Sequence, residues 1–366
     1  MNTKMINVGL TERFIQESTL YTGMKLGRVS SQHKDLYKVI TEHGEVFAEV
    51  SGKFRYEARS LADYPAVGDF VMLAQSEREE QSLQAGDRAI IHHVLTRKSA
   101  FERKAAGTSN DIQVVAANMD IVFICMALNH DFNLRRLERY LSIAWDSGAT
   151  PVVVLTKADL CEDVQEKLNE VYTAAIGVDV VTTSGLSEDG FIAIQHYMAV
   201  GKTFVFIGSS GVGKSTLINR LLGETIMDTK ETRNDDKGRH TTTHRELFVL
   251  PGGGVIIDTP GMRELGIESA DLSKAFVDID EFASRCKFSD CSHQTEPHCA
   301  VQQAILEGKL AAERLASYLK LKKEAKYEGL NSRQIETEKL NTIFAGIGGM
   351  KNARKFMKDK QSKRKR

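Results

Sequence analysis

The sequence lacks the long apolar runs of membrane proteins and the dense cysteines of disulfide-stabilised proteins. Its longest apolar run, residues 121–128, is far shorter than the roughly 20 residues that span a bilayer. The N-terminus has no charged segment followed by an apolar one, so we expect neither a secretion leader nor a membrane partner. Five cysteines in the chain, three of them between positions 286 and 299, indicate a reducing, cytoplasmic location and a metal site.

A net charge is also missing, because 49 lysines and arginines balance 49 aspartates and glutamates. The balance hides a basic end, since residues 351–366 contain nine basic residues and one acidic residue, a net charge of +8. This end has almost no apolar content, and we expect residues 346–366 to form a disordered basic tail. The tail either contacts RNA or is a solvated, non-specific end, and its charge alone does not distinguish these alternatives.

The length of 366 residues predicts two or three domains. Residues 20 to about 100 have the character of short strands, with apolar and polar residues alternating at positions 46–50 and again at 54–58. About five such strands predict a small closed barrel of the OB-fold or SH3-like kind, which we assign to residues 1–105 as an OB-fold-like β-barrel. Such barrels bind RNA or serve as structural modules, and both readings remain open.

From residue 112 the pattern changes to strands that alternate with helices, one of which Asn133 can cap. This alternation predicts a mostly parallel sheet covered by helices, with ligands bound at the carboxyl ends of the strands. We assign residues 106–272 to this α/β domain. Residues 273–345 are expected to form a helical domain with the cysteine cluster at its start.

The strongest motif is GSSGVGKS at residues 208–215, which follows an apolar strand and opens a helix. Its glycines let backbone N–H groups wrap phosphate oxygens, Lys214 can reach the β- and γ-phosphates, and Ser215 can hold Mg²⁺. A glycine-rich connector is the weaker alternative. We expect phosphate contacts from Gly208, Ser209, Ser210, Gly211, Val212, Gly213, Lys214, Ser215 and Thr216.

A second motif, DTPG, begins at Asp258 at the end of another apolar strand. The Asp258 carboxylate can hold Mg²⁺ through water, and the amide of Gly261 can sense the γ-phosphate. A D-x-x-G sequence alone is a common turn, but together with the phosphate loop it predicts a nucleotide switch.

The base-reading motif is the sequence TKAD, which begins at Thr156 and also lies at a strand end. The carboxylate of Asp159 can accept hydrogen bonds from the ring N–H and the amine of guanine, and the stem of Lys157 can lie along the base. GTPases usually have Asn at the first position, so Thr156 makes the base contact weaker or different. The triplet TSG, which contains Ser184 and lies at the next strand end, can contribute a backbone amide to the guanine oxygen, although the triplet alone is a weak signal.

The order of the motifs is unusual, because the base-reading motif precedes the phosphate loop and DTPG. A sheet tolerates this order, since the site needs loops clustered at one edge rather than any particular chain order. The order indicates a circular permutation. With these motifs in this order the chain resembles, over essentially its whole length, the circularly permuted family called ribosome small-subunit-dependent GTPase A. The matching features are the barrel, TKAD, TSG, GSSGVGKS, GRHTTT at residues 238–243, DTPG and the cysteine cluster.

The resemblance implies GTP hydrolysis stimulated by the small ribosomal subunit, rRNA binding, release on hydrolysis, and a role in late maturation of that subunit. The expected partners are therefore that subunit with its rRNA, and GTP or GDP. We expect a monomer. Two alternatives remain: an RNA-binding protein whose nucleotide is mainly structural, and a P-loop ATPase or kinase, against which Asp159 argues.

The polar stretch 237–243 has the character of a mobile switch, and Thr242 or Thr243 can ligate Mg²⁺ when GTP is bound. Conventional GTPases orient the attacking water with a Gln after D-x-x-G, but here that residue is Met262. We therefore expect slow basal turnover and predict that His240 positions the water. A histidine that only shapes the loop or contacts RNA is the alternative. The predicted magnesium ligands are Ser215, Thr242 and Asp258.

The spacing Cys286-x4-Cys291-x-His293-x5-Cys299 offers three thiolates and an imidazole, a complete set for one tetrahedral Zn²⁺. His298 could replace His293, although the resemblance favours His293. The alternative, in which the cysteines are small buried apolar residues, applies better to the isolated Cys125 and Cys161.

Overall fold

The structure is a computed structural model that describes residues 3–74, 88–104, 111–185, 187–227, 245–258 and 272–327. His240, Thr242, Gly261 and Met262 lie outside the described residues, as does the predicted basic tail at 346–366. Among the helices that are described, none combines the length and the hydropathy needed to cross a bilayer.

The N-terminal part is a closed barrel of five strands, as the sequence predicts. The strands pair in the order β1-β2-β3-β5-β4 and β4 pairs back to β1; β3 and β5 are parallel and the other pairs are antiparallel. Two short helices precede the barrel. In chain order the elements are α1 Thr3–Asn7, α2 Glu12–Ser18, β1 Met24–His33, β2 Leu36–Thr41, β3 Gly44–Val50, α3 Gly52–Glu57, β4 Phe70–Ala74 and β5 Ala89–Val94.

The strand pattern predicted at residues 54–58 is wrong, because the chain forms helix α3 there. Ser51 begins the helix, since its side chain accepts a hydrogen bond from Phe54 N at 3.0 Å. Phe54 packs edge-on against the ring of Tyr64, whereas Tyr56 is 91% exposed. A capping serine followed by one half-buried aromatic side chain therefore outweighs a short polar–apolar alternation.

A separate two-stranded antiparallel sheet, which the sequence did not predict, joins β6 Ala100–Lys104 to β7 Ile112–Ala117. The domain boundary expected between residues 105 and 106 lies between these two paired strands.

The predicted alternation of strands and helices is confirmed in the central α/β part. Five parallel strands have the order β10-β9-β8-β11-β13, and the antiparallel β12 lies beside β13. Asn133 caps α4 as expected, accepting from Arg136 N at 3.0 Å. In chain order the elements are β8 Ile121–Ala127, α4 Leu134–Asp146, β9 Thr150–Thr156, α5 Val164–Ala174, β10 Asp179–Thr182, α6 Asp189–Gln195, β11 Thr203–Ile207, α7 Lys214–Leu222, β12 Glu246–Val249 and β13 Val255–Asp258.

The barrel and the central sheet share backbone pairing. Glu246 of β12 lies opposite Asp258 of β13 on one side and opposite Ser31 of β1 on the other. The strand that follows the predicted switch segment 237–243 is therefore paired directly with the barrel.

Both faces of the central sheet are buried, as is usual for parallel strands. Along β8, Ile124 belongs to the core on the face that carries α4, α5 and the C-terminal helices, whereas Phe123 belongs to the core under α6 and α7. The C-terminal helices are α8 Val277–Ala283, α9 Ala300–Leu306 and α10 Ala312–Tyr327, with the cysteine cluster between α8 and α9. Between α9 and α10 the chain turns at Gly308, whose φ of +69° is left-handed.

Candidate nucleotide site and metal centre

The predicted nucleotide motifs lie at one edge of the central sheet. The phosphate loop follows β11, the TKAD motif begins at the last residue of β9, TSG follows β10, and Asp258 ends β13. Because β10, β9, β8, β11 and β13 are parallel, their carboxyl ends share this edge. The described part of the permuted motif set is thus brought together despite its unusual order.

The phosphate loop depends on glycine at defined positions. Gly208, Gly211 and Gly213 have φ values of +141°, +76° and +100°. A Cβ on Gly208 would also lie 2.2 Å from the carbonyl oxygen of Cys125 on the neighbouring strand β8. Only glycine satisfies both the backbone conformation and this close approach.

Lys214, the first residue of α7, holds its ammonium group against the loop. Its Nζ donates to the carbonyl oxygens of Gly208 at 2.7 Å and Ser209 at 2.6 Å. A positive charge at the N-terminus of a helix, inside a loop rich in backbone N–H groups, favours bound phosphate. Ser215 is half-buried and Thr216 is exposed in the first turn of α7, and Asp258 is half-buried at the end of β13 beside β11.

Thr156 connects the base-reading motif to the phosphate loop. The residue is 4% exposed, and its Oγ1 donates to the carbonyl oxygen of Val212 at 2.5 Å. The departure from Asn at this position therefore keeps a hydrogen-bond donor that joins the two loops. The hydroxyl, however, lacks the reach and the second donor of an amide.

Asp159 presents an ionised carboxylate at the surface. Its Oδ1 accepts from Ser184 Oγ at 2.8 Å and from Gly185 N at 3.1 Å, so the TSG segment orients it. The hydrogen bond from Ser184 lowers the pKa of this carboxyl below its ordinary value. Lys157 turns the chain with a left-handed φ of +58°, which exposes Asp159.

Sequence reasoning missed Arg136, which lies in the first turn of α4 and contacts the phosphate loop. Its Nη1 donates to Ser209 Oγ and, at 2.8 Å, to Asp131 Oδ1. The available signal was positional, because the first turn of a helix that follows a strand beside β11 must lie near the phosphate loop.

The cysteine cluster has the ligand set predicted for a metal. One ligand atom from each of Cys286, Cys291, His293 and Cys299 lies within 4.8 Å of the others. Cys286 Sγ is 3.9 Å from Cys299 Sγ and 3.6 Å from His293 Nδ1, and Cys299 Sγ is 3.5 Å from His293 Nδ1. Tetrahedral zinc keeps two sulfur ligands about 3.8 Å apart and a sulfur and a nitrogen about 3.5 Å apart. The residues therefore fit zinc, and His298 is not among the grouped ligands.

The chain around the cluster orients its ligands. Gln302 donates to Cys299 Sγ through its backbone N at 3.5 Å and to the His293 carbonyl oxygen through its side chain at 2.6 Å. Burial raises the pKa of the Cys286 thiol, but hydrogen bonds from the backbone of Val301 and Ala300 outweigh it and lower the pKa overall. These donors favour the thiolate form that binds metal.

Comparisons with known proteins agree with this geometry. The profile of the family described as RsgA GTPase matches residues 94–268. The small ribosomal subunit biogenesis GTPase RsgA 2 of Lactiplantibacillus plantarum is 50% identical over 97% of this chain and 98% of its own length. The small ribosomal subunit biogenesis GTPase RsgA of Methanosarcina acetivorans is 40% identical over 95% of this chain and 93% of its own length.

Two solved structures are also similar. YjeQ from Thermotoga maritima has a TM-score of 0.61 and 28% identity, and the match covers 83% of this chain and 99% of YjeQ. YloQ, described as a circularly permuted GTPase, has a TM-score of 0.58 and 26% identity over 84% of this chain and 96% of YloQ. The permuted motif order, the barrel and the extent of these matches lead to one conclusion: the chain belongs to the RsgA GTPase family.

Proposed function

We propose that this chain hydrolyses GTP as a late assembly factor of the small ribosomal subunit and is released from the subunit when GTP is hydrolysed. The observation that carries the proposal is the hydrogen bond from Thr156 to Val212, because it ties the base-reading motif to the phosphate loop so that both serve one nucleotide. The relatives named small ribosomal subunit biogenesis GTPases supply the partner.

In this proposal the backbone N–H groups of residues 208–215 surround the phosphates, and Lys214 moves from the loop carbonyls to the β- and γ-phosphates. Asp159, held by Ser184, selects guanine because its carboxylate accepts from two guanine N–H groups that adenine does not offer. Ser215, Thr242 and Asp258 form the magnesium site, with Gly261 at the γ-phosphate.

Hydrolysis requires a positioned water molecule, and Met262 has no amide to orient one. We assign this role to His240 and expect basal turnover on the order of 10⁻⁴ s⁻¹, as in unassisted small GTPases. The small subunit then completes the site. Replacing His240 by Ala should abolish stimulated turnover while nucleotide affinity is retained, and unchanged stimulated turnover would remove the assignment.

We propose one zinc ion at the four-residue cluster, where it closes a loop-rich segment that burial alone would not stabilise. The zinc ion has a structural role there, because it holds the four ligands together and takes no part in hydrolysis. We also propose the functional division 1–105, 106–272, 273–345 and 346–366, in which the barrel, the zinc-bearing domain and the basic tail contact rRNA on either side of the GTPase domain. Phosphate contacts of this kind make affinity strongly salt-dependent. The protein acts as a cytoplasmic monomer.

The test is GTP turnover by the purified chain, titrated separately with small and large ribosomal subunits. We expect small subunits alone to stimulate turnover, ATP not to compete with GTP, and Lys214→Ala to abolish nucleotide binding. Asp159→Asn should weaken GTP binding, with Glu162→Gln, a nearby exposed carboxylate, as the matched control. Equal stimulation by large subunits, or competition by ATP, would contradict the proposal.

A further inference from the structure

Helix α4 brings a side chain to the phosphate loop that none of the GTPase motifs contains. Arg136 Nη1 donates to the hydroxyl of Ser209, 73 residues further along the chain, and to the carboxylate of Asp131 at 2.8 Å. We propose that Arg136 is a positioning residue for nucleotide binding, which holds Ser209 and thereby the phosphate loop in its binding conformation. This inference rests on the proposed function, because it assumes that residues 208–215 bind the phosphates.

The local structure determines where the guanidinium group lies. Asn133 caps α4, and its own N–H donates to Met126 Sδ at 3.4 Å at the end of β8, so the first turn of the helix is fixed relative to the sheet. Asp131 is in turn held by the hydrogen bond from its N–H to Asn129 Oδ1 at 3.0 Å. The carboxylate of Asp131 orients the arginine toward the loop, and the paired charges favour a single guanidinium position.

The contact with Ser209 differs from the contact made by Lys214. Lys214 donates to the carbonyl oxygen of Ser209 at 2.6 Å, and the ammonium group that makes this bond is the one expected to contact phosphate. Arg136 donates to the hydroxyl, so its bond does not compete with phosphate binding. Arg136 can therefore keep Ser209 in place in the free, GDP-bound and GTP-bound forms alike.

The far side of α4 is also anchored. Glu138 pairs with Arg314 at 3.0 Å, and Arg139 pairs with Glu324, so the helix is fastened to α10 just after the turn that carries Arg136. Between Arg136 and the sheet lies a cavity of about 10 Å³ lined by side chains such as Leu137 and Tyr140. A space of this size holds at most about one water molecule, so the first turns of α4 pack closely against the sheet here.

The expected kinetic signature follows from this geometry. A residue that preorganises the loop equally for GDP, GTP and the transition state changes affinity but not the rate of the chemical step. A hydrogen bond from a charged donor corresponds to roughly a 10- to 100-fold change in an equilibrium constant. Because the hydroxyl of Ser209 transmits the effect, loss of either partner should have the same consequence.

The experiment measures Kd for GDP and for a non-hydrolysable GTP analogue, and kcat and KM with small subunits, for the full chain. The variants are Arg136→Ala, Arg136→Lys, Ser209→Ala and the double variant of Arg136→Ala with Ser209→Ala. Arg135→Ala is the control, because Arg135 is an exposed arginine on the same helix turn.

We expect Arg136→Ala and Ser209→Ala each to raise both Kd values and KM by about 10-fold, with kcat within about twofold. The double variant should be no worse than either single variant, Arg136→Lys should recover part of the affinity, and Arg135→Ala should match the parent. If Arg136→Ala does not fold, Arg136→Lys and Ser209→Ala carry the same comparison.

Unchanged Kd in Arg136→Ala would overturn the inference, and so would additive losses of affinity in the double variant. A fall in kcat on replacing Arg136 by Ala in a chain that already carries Ser209→Ala would overturn it as well. The last result would mean that the arginine acts on the phosphates themselves. Failure of the parent chain to bind GTP, or binding unaffected by Lys214→Ala, would instead overturn the proposed nucleotide site.

Discussion

Two buried arginines connect the flanking parts of the chain to the central α/β part, and they differ in the groups with which they pair. Arg28 of the barrel donates to the carbonyl oxygens of Val8 and Gly68 and, at 2.9 Å, to Oγ1 of Thr203, the first residue of β11. These acceptors are neutral. Burial lowers the pKa of Arg28 to about 10, although the negative charges of Asp120 and Asp69 oppose this effect.

Arg314 of α10 instead meets two carboxylates. It contacts Asp278 with two nitrogens, at 2.5 and 2.8 Å, and Glu138 of α4 at 3.0 Å, and it donates to the carbonyl oxygen of Ala275 at 2.9 Å. Burial raises the pKa of Glu138 above its ordinary value, although hydrogen bonds and the charge of Arg314 oppose this effect.

The comparison shows that equal burial does not mean equal dependence on a residue. Each guanidinium lies 4.9 Å from the centre of a phenylalanine ring, Phe70 for Arg28 and Phe276 for Arg314. Loss of Arg28 leaves neutral carbonyl and hydroxyl oxygens without their donor, whereas loss of Arg314 leaves the buried carboxylate of Glu138 without its cation. The C-terminal junction should therefore be the more sensitive one.

Of the changes that distinguish the C-terminal side from the barrel side, removal of the metal should have the largest effect on stability. Chelation should release one zinc per chain and reduce hydrogen-exchange protection in α8 and α9, which are only seven residues each and flank the cluster. The barrel strands β1, β2 and β3, residues 24–50, should keep their protection. Equal loss of protection on both sides, or none in α8 and α9, would contradict a structural metal confined to the C-terminal side.

Zinc content measured on two histidine variants tests which histidine binds the metal. His293→Ala should lose the metal, whereas His298→Ala, the matched control, should retain it. Retention by His293→Ala would return the ligand role to His298.

The next largest effect is expected from Arg314→Ala. Leaving Glu138 buried and unpaired should lower the free energy of unfolding by about 3–5 kcal/mol, measured by urea unfolding. Arg139→Ala removes the pair with Glu324, in which both side chains are about one-third exposed, and should cost at most about 1 kcal/mol. Similar losses in the two variants would show that burial of the pair does not determine its contribution.

A smaller effect is expected from Arg28→Met, which keeps much of the side-chain volume. The loss should be about 1–3 kcal/mol, because neutral acceptors are left behind and Gly68 O still accepts from Asn118 Nδ2. Arg13→Met is the control, since Arg13 makes an exposed hydrogen bond to Thr96 O. A loss in Arg28→Met as large as in Arg314→Ala would remove the distinction between the two junctions.

Much of the fold could be predicted where the signal is local. The cap at Asn133 and the alternation of strands and helices are confirmed, since capping and apolar periodicity act within a few residues. The same reasoning failed at residues 54–58, where Ser51 begins a helix, and it missed the pairing of β6 with β7. Both cases are short segments whose conformation depends on what they pack against.

The chemistry-bearing sets could be recognised from the sequence because their members are neighbours along the chain. The phosphate loop lies within residues 208–215 and the metal ligands within 286–299, so residue type and spacing alone predicted phosphate and zinc chemistry. The resemblance to the family followed from these motifs and their order. No such spacing relates Arg136 to Ser209, 73 residues away, or Thr156 to Val212, 56 residues away.

The sequence by itself therefore determined the reaction class, the permuted order and the set of candidate metal ligands. Only the tertiary structure decided which residues support the phosphate loop and how the flanking parts are fastened, through contacts such as Arg28 with Thr203 and Arg314 with Glu138, 175 and 176 residues apart. The physical reason is that burial and charge pairing depend on positions in space, which the packing of the sheet and helices sets after local structure has formed.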